Sequence, residues 1–258
     1  MPFTGSHPAA VLPLLRLGLV PSALVIGSMA PDLPYYAPLP IASTLTHSAA
    51  GVIGIDLLMG LAVFALWQGL LAPAVVAVSP TGLRDRLGPG LPVPARQHLA
   101  SLGAIALLVA SLTIGAATHV VWDAFTHADR WGTEHVPWLN QVHGPFEGYR
   151  WMQYASGLVG AAVLGVTGAR WWARQPCVPG SQRVPAAGDR SSRVVVSIVG
   201  ACLVLGACVG LSVGLAGSGP RAGVFLAATW GGGAASAAAL VCAAAMRLGV
   251  QGVQRTGI

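Results

Sequence analysis

Lysine is absent from the 258 residues; all 14 basic side chains are arginine. That excludes a Schiff-base lysine and the lysine of a phosphate-binding loop. Charge of any sign is scarce, 9% of the chain, where soluble domains carry roughly a quarter. Together with a hydrophobic content of 54%, this excludes both an ordinary soluble globule and a disordered chain. Cysteine is nearly as scarce. Cys177, Cys202, Cys208 and Cys242 show no CxxC and no Cys/His spacing, so neither a disulfide framework nor a structural zinc knuckle is expected. The formal charge of +6 would suggest nucleic acid in a soluble protein. Here the arginines gather in a few connecting loops, and no nucleic-acid partner is expected.

Long apolar runs are what the chain does have. A membrane crossing needs about 20 such residues, and candidates lie at roughly 48–71, 99–121, 151–172, 194–216 and 222–246. The sequence therefore predicts an all-α, polytopic integral membrane helix bundle with about five full spans. The first stretch, PAAVLPLLRLGLVPSALVIGSMAPD, is broken by Pro13 and Pro21 and carries Arg16, so it is read as a hairpin of two short helices. Without a basic n-region it does not read as a secretory signal peptide. Loop 72–98 holds Arg84, Arg86 and Arg96, loop 173–193 holds Arg174, Arg183, Arg190 and Arg193, and the tail holds Arg247 and Arg255. Five spans alternate so that all three segments face the cytoplasm, as the positive-inside rule requires. Residues 1–47 and 122–150 then lie outside. The expected division is a domain of hairpin plus three spans (1–172), a cytoplasmic linker (173–193), and a C-terminal helix pair with tail (194–258). In that pair Gly206, Gly210 and Gly214 read as a close-packing face.

Against this background a few polar residues stand out. In GAATHVVWDAFTH, His119, Asp123 and His127 recur at i, i+4 and i+8, a single column within an arc of about 80°. Imidazole and carboxylate are ligands of zinc and similar ions, and ionisable groups beside a span are functional by default. Taken singly, His47 in LTHS reads as a cap-region residue, Asp32 in APDLP as a turn aspartate, and His7 as a polar terminal residue. The arginine-derived topology nevertheless puts all three on the membrane face of the column.

The ordered series H…PD…THS…H-x3-D-x3-H resembles bacterial zinc-dependent phospholipase C-like proteins and related inner-membrane metal-dependent hydrolases. The segments MPFTGSH, GSMAPDLPYY, LTHS, THVVWDAFTH and RWMQY resemble still more closely a bacterial membrane family of unknown function, over roughly residues 1–172. The resemblance implies that His7, Asp32, His47, His119, Asp123 and His127 are metal ligands. It also implies a bacterial cytoplasmic membrane location with the site on the extracytoplasmic side.

The loop 128–150 offers a lid, with Trp131, Trp138 and Tyr149 as interfacial anchors. Arg150 is expected to bind a phosphate oxygen and His135 or His143 to act as general acid, with Asp123 completing the catalytic set. Asp56, an acid inside a span, is expected to pair with Arg16. The resulting expectation is a divalent-metal hydrolase, zinc first and magnesium second, with one or two ions. Its substrate would be a lipid-like or phosphorylated small molecule, such as a prenyl-linked phosphoester, met at the bilayer. The alternatives are a magnesium-dependent prenyl diphosphate-processing enzyme and a non-catalytic scaffold or transporter.

Overall fold

A computed structural model describes residues 4–88, 90–181 and 184–256; Arg183 and the side chain of Arg255 lie outside the described set. The protein is helical almost throughout. Among the described residues the only strands are Val142–His143 and Phe146–Glu147, paired antiparallel across a turn that puts Gly144 at φ 69°. Four helices are long and apolar enough to cross a membrane: Ile55–Val78, Leu102–Thr126, Asp189–Ser218 and Pro220–Gly249. The fifth expected span, 151–172, lies in a 27-residue helix, Gly148–Arg174, which is not among those four. Arg150, Gln153, Arg170 and Arg174 lower its apolar character.

The chain forms two compact units. One takes in residues up to Pro34, 38–64 and 98–174; the other takes in 35–37, 65–97 and 175 onward. In the first, residues 8–27 do not make one continuous helix. Pro8–Val11 leads into a 3-10 stretch, Leu12–Leu17, which ends at Gly18 with φ 73°, and Pro21–Gly27 follows. Pro21 sits at the first position of its helix, where a missing N–H costs nothing. The preceding Val20 N–H instead donates to Ser111 Oγ at 2.9 Å. Helix Pro21–Gly27 packs on Leu102–Thr126 with almost no gap. A Cβ at Gly27 would run into the Leu112 carbonyl, and one at Gly115 into the Leu24 carbonyl, 2.8 Å from Ser28 N. Around this contact Val20, Ala23, Phe64, Leu108 and Leu112 form the buried apolar core.

The segment after residue 42 is also broken rather than continuous. Ser43–Thr46 ends at His47; Ser48 then caps Ala49–Ile53 by accepting the Gly51 N–H at 3.0 Å; Gly54 breaks the ladder again before Ile55. His47 and Asp56 therefore sit on different helices, and a rotation counted along one helix does not relate them. The expected Asp56–Arg16 pair is absent. Asp56 is buried with neither carboxylate oxygen hydrogen-bonded, while Arg16 is exposed on its 3-10 stretch beyond the Gly18 turn.

In the second unit Asp189–Ser218 and Pro220–Thr256 form an antiparallel pair reversed at Gly219, φ 89°. Gly210 and Gly214 meet the backbone of Leu226 and of Ala222–Gly223, so the small-residue face is a packing face, as its spacing suggested. The proline-rich connection before the pair is pinned down: Arg84 Nη2 donates to Val184 O at 2.9 Å and Ala187 N to Ala77 O at 2.9 Å. The helix Ile55–Val78 widens to a π-turn at Trp67–Leu71. Ala72 N–H donates to Trp67 O, five residues back. Arg247 Nη1 donates to Gly69 O in the same turn at 2.7 Å.

Candidate metal centre

All six residues expected as ligands come together in the first unit. The column on Leu102–Thr126 supplies His119 and Asp123, both buried, and His127 follows at the helix C-cap. Asp32 comes from the 3-10 turn Ala30–Asp32, where Pro31 sets the chain direction. His47 comes from the break between two short helices, and His7 from the turn between Thr4–Ser6 and Pro8–Val11. One ligand atom from each of Asp32, His47, His119 and Asp123 lies within 4.8 Å of the other three, so this group could hold a metal ion.

Three imidazoles share one arrangement. His119 Nδ1 lies 2.8 Å from Ser28 O, His47 Nδ1 3.0 Å from Ser43 O, and His7 Nδ1 3.3 Å from Thr4 O. A carbonyl only accepts, so each Nδ1 carries a hydrogen and each Nε2 points inward. This is how proteins fix the tautomer of a metal-ligating histidine. The inward nitrogens meet carboxylates. His47 Nε2 is 3.3 Å from Asp32 Oδ1 and 3.3 Å from Asp123 Oδ2; His119 Nε2 is 3.5 Å and 3.4 Å from the same two oxygens. His119 Nε2 and Asp32 Oδ1 have no hydrogen-bond partner. Buried polar atoms are rarely left so.

The spacing tests which ion fits. Donors 2.0–2.2 Å from a tetrahedral zinc stand about 3.3–3.5 Å apart. Neighbouring donors of an octahedral magnesium at 2.0–2.1 Å stand closer, about 2.9 Å. Four of the six donor–donor separations, the imidazole–carboxylate ones, fall in the tetrahedral range, and all six lie within 4.8 Å. The charge fits too: two buried carboxylates face each other with no arginine among their ion-pair partners.

Asp123 divides its oxygens. Oδ2 faces His47 and His119, while Oδ1 faces His7 Nε2 at 3.2 Å and His127 Nδ1 at 3.4 Å. His7 also stacks on His119, centroids 3.8 Å apart at 14°. His127 differs from the other three. Its Nδ1 faces Thr126 Oγ1 at 3.3 Å; its Nε2 faces Gln153 Nε2 at 3.3 Å, and that amide also donates to Thr126 O at 3.1 Å. With a fifth of its side chain exposed, His127 is the most open of the imidazoles in the cluster.

Three expected catalytic residues point elsewhere. His135 Nδ1 donates to Trp131 O at 2.8 Å and its ring stacks on Trp131; His143 Nε2 donates to Trp138 O at 2.9 Å and stacks on Trp138. Arg150 Nε pairs with Glu147 at 2.6 Å, at a partly exposed position. Each of the three has a local partner within the 128–150 segment, and among the described residues none is paired with the His/Asp cluster. Conversely, Thr4, Ser28 and Gln153 support the centre without having been marked by the sequence. Thr4 Oγ1 donates to Asp32 Oδ2 at 2.5 Å. A lone threonine, serine or glutamine carries no pattern that would flag it.

The fold and site thus define a helical protein with span-length apolar helices and a buried His/Asp cluster able to hold a metal ion. The chain belongs to the domain of unknown function family DUF4184, which matches residues 1–245. No curated protein and no solved structure matches it.

Outside the spans three cluster groups shift: His47, Asp32 and His127. Burial alone would push His47 down, but the Asp123 and Asp32 carboxylates against its Nε2 hold it above the ordinary imidazole value. Burial would raise Asp32, but the His119 and His47 imidazoles against its carboxylate, with the Thr4 hydroxyl, outweigh that and hold it well below the usual carboxylate range. In metal-free protein the raised His47 stabilises the fold fully below about pH 6.5, and this is lost as pH rises through its elevated value. The depressed Asp32 stabilises above about pH 3.9, and this is lost as pH falls through its lowered one. The lowered His127 works the other way as pH falls below about 6.5, so the clear expectation for chelated protein is a lower melting temperature at pH 9 than at pH 6.5. Bound metal should reverse the alkaline arm, since ligands must be deprotonated. Thermal melts across pH, with and without chelator, check this; a flat chelated profile would count against the pair.

Proposed function

We propose that this chain is a membrane-embedded zinc-dependent hydrolase. Its substrate class is a phosphoester carried on a lipid or prenyl chain, met at the outer face of a bacterial cytoplasmic membrane. The observation that carries this reading is the set of three imidazoles, each anchored by Nδ1 to a backbone carbonyl and each aiming Nε2 at buried carboxylates that have no arginine partner. Imidazole-rich donors at tetrahedral spacing favour zinc over the magnesium of prenyl diphosphate chemistry. A polar midplane site in a repeated fold would favour a transporter; this cluster lies at one end of its helix.

The outer placement rests on the arginine distribution and requires Gly148–Arg174 to cross as a fifth span. Its ends support that. Trp151 and Tyr154 near the start and Trp171 and Trp172 near the end are separated by about 30 Å of helix, the thickness of a hydrocarbon core, and aromatic pairs favour both interfaces. Between them Leu158, Val159, Val163 and Val166 are exposed, a surface suited to lipid. Trp131, Trp138 and Val142, also exposed, follow the C-terminal end of Leu102–Thr126 and suit the headgroup layer where an amphiphilic substrate is met.

A bound zinc ion supplies Lewis acidity and a more acidic bound water. The chain's own part is to hold the donors. Ser28, Ser43 and Thr4 carbonyls fix the ring tautomers, Asp32 and Asp123 supply the negative charge, and the helix contact at Gly27 and Gly115 keeps solvent from one side. Burial pushes His127 down to about 4, so near neutral pH its ring is neutral and able to accept a proton from the open side. The test is turnover of phosphodiester and phosphatidyl substrates by the full chain in detergent. Chelation and His119→Ala should each abolish turnover, and zinc should restore it only in the wild type. Zinc-loaded protein that cleaves no phosphoester would contradict the reaction class.

A further inference from the structure

The second unit encloses a cavity of about 670 Å³ that the hydrolase reading does not use. Its walls are apolar, with Leu70, Pro73, Ala74, Ala77 and Met246 among them. Gln68 and Arg247 are the two polar side chains in the lining. The volume is that of a small-molecule site, which is typically 300–1,000 Å³ with few polar groups. The π-turn at Trp67–Leu71 forms one wall, and π-turns concentrate at functional sites. The Gly69 carbonyl of that turn holds Arg247 Nη1 by a single bond at 2.7 Å. It is the guanidinium's one acceptor among the described residues, so most of its five donors remain available.

Depth and charge narrow the ligand. Gln68 to Ala77 lie within the last 10 or so residues of Ile55–Val78, about 15 Å of helix, and Ala243 to Arg247 fall at the corresponding end of Pro220–Gly249. The rest of the lining, Pro92–Pro94 and Val184–Ala187, comes from the connecting segments, so the cavity opens from the ends of these helices at the edge of one leaflet. Arg84 and Arg86 follow that end of the first helix, and Arg190 and Arg193 open the antiparallel partner of the second. An apolar cavity at the edge of a leaflet, with a fixed guanidinium in its lining and further arginines beyond, is complementary to an anionic amphiphile. Basic pockets between spanning helices bind anionic lipid headgroups in this way.

We propose that this cavity takes an acyl chain of an anionic glycerophospholipid from the surrounding bilayer, with its phosphate on Arg247. The test uses delipidated full-length protein in detergent, read by native mass spectrometry with dioleoylphosphatidylglycerol, dioleoylphosphatidylcholine or inorganic phosphate. Wild type should retain one lipid per chain and prefer the anionic lipid about fivefold, the worth of one basic residue at a charged headgroup. Arg247→Gln, at an exposed position, should erase the preference, and Ala74→Phe should displace the lipid by filling the chamber. Inorganic phosphate should not compete. Equal retention of the two lipids by wild type, displacement by phosphate alone, or undiminished retention in Ala74→Phe would each overturn the proposal. If Ala74→Phe does not fold, the Arg247→Gln comparison decides. Metal content is unaffected in either outcome, so this test stands or falls apart from the hydrolase reading.

Discussion

Asp123→Asn is expected to lower metal affinity by more than about 100-fold, beyond the usual cost of losing a supporting residue around a ligand. Its two oxygens lie within 3.4 Å of all four imidazoles of the centre, His7, His47, His119 and His127. The amide keeps the shape but removes one negative charge and turns one oxygen into a donor. That donor would face an imidazole Nε2 whose lone pair is meant for a cation, or the Nδ1 of His127. Either way one edge of the tetrahedron is lost. Competition against a chromogenic chelator gives the affinity, and a second readout comes from melting. Chelator should lower the melting temperature of the wild type and leave that of Asp123→Asn unchanged. Equal metal affinity in the two proteins would mean that the carboxylate is a surface for protonated histidines and no ligand.

The second large effect is expected far from any ligand atom. Gly115→Val should destabilise the first unit by at least the 1–3 kcal/mol typical of overpacking, and lose metal at the same time. At most buried positions an added methyl group can be absorbed by neighbouring side chains. Here a Cβ meets the Leu24 carbonyl and the Ser28 amide, which are backbone and cannot rotate away. The helix Pro21–Gly27 would have to move off, taking with it the Ser28 carbonyl that holds His119 Nδ1. Gly157→Val serves as control, since a Cβ there meets nothing within 4 Å. Melting temperature and zinc stoichiometry of the two variants, measured side by side, separate a packing effect on the site from a general intolerance of valine. Gly115→Val that keeps full metal content would show that the helix contact does not position His119.

The centre was legible in the sequence to the extent that helical spacing reports it. His119, Asp123 and His127 could be placed on one face because all three follow one uninterrupted helix to its cap. His7, Asp32 and His47 could be assigned to that face only through the arginines, and they do arrive there. Spacing failed where the helix was interrupted. Gly54 and the His47–Ser48 break put Asp56 on a different helix from His47, and the left-handed turn at Gly18 leaves Arg16 outside, so the expected pair does not form. The histidines of the 128–150 segment misled for another reason. Ligand-type residues near an active face look alike in sequence, whereas stacking on Trp131 and Trp138 fixes them elsewhere. Nor could the sequence indicate the carbonyl anchors at Thr4, Ser28 and Ser43, because every residue has a carbonyl and only folding selects which one meets a ring. The π-turn is an intermediate case: Pro73 announces a disturbed ladder, but neither the register shift nor the Arg247 contact to the Gly69 carbonyl.

X-ray absorption at the zinc edge, on full-length protein purified in detergent, tests the central assignment most directly. The cluster predicts a shell of nitrogen and oxygen alone at about 2.0–2.1 Å, with the outer-shell signature of imidazole, disappearing in His119→Ala. A sulfur shell near 2.3 Å would place the metal on cysteine instead. That result, or protein that takes up no stoichiometric zinc at all, would contradict the account.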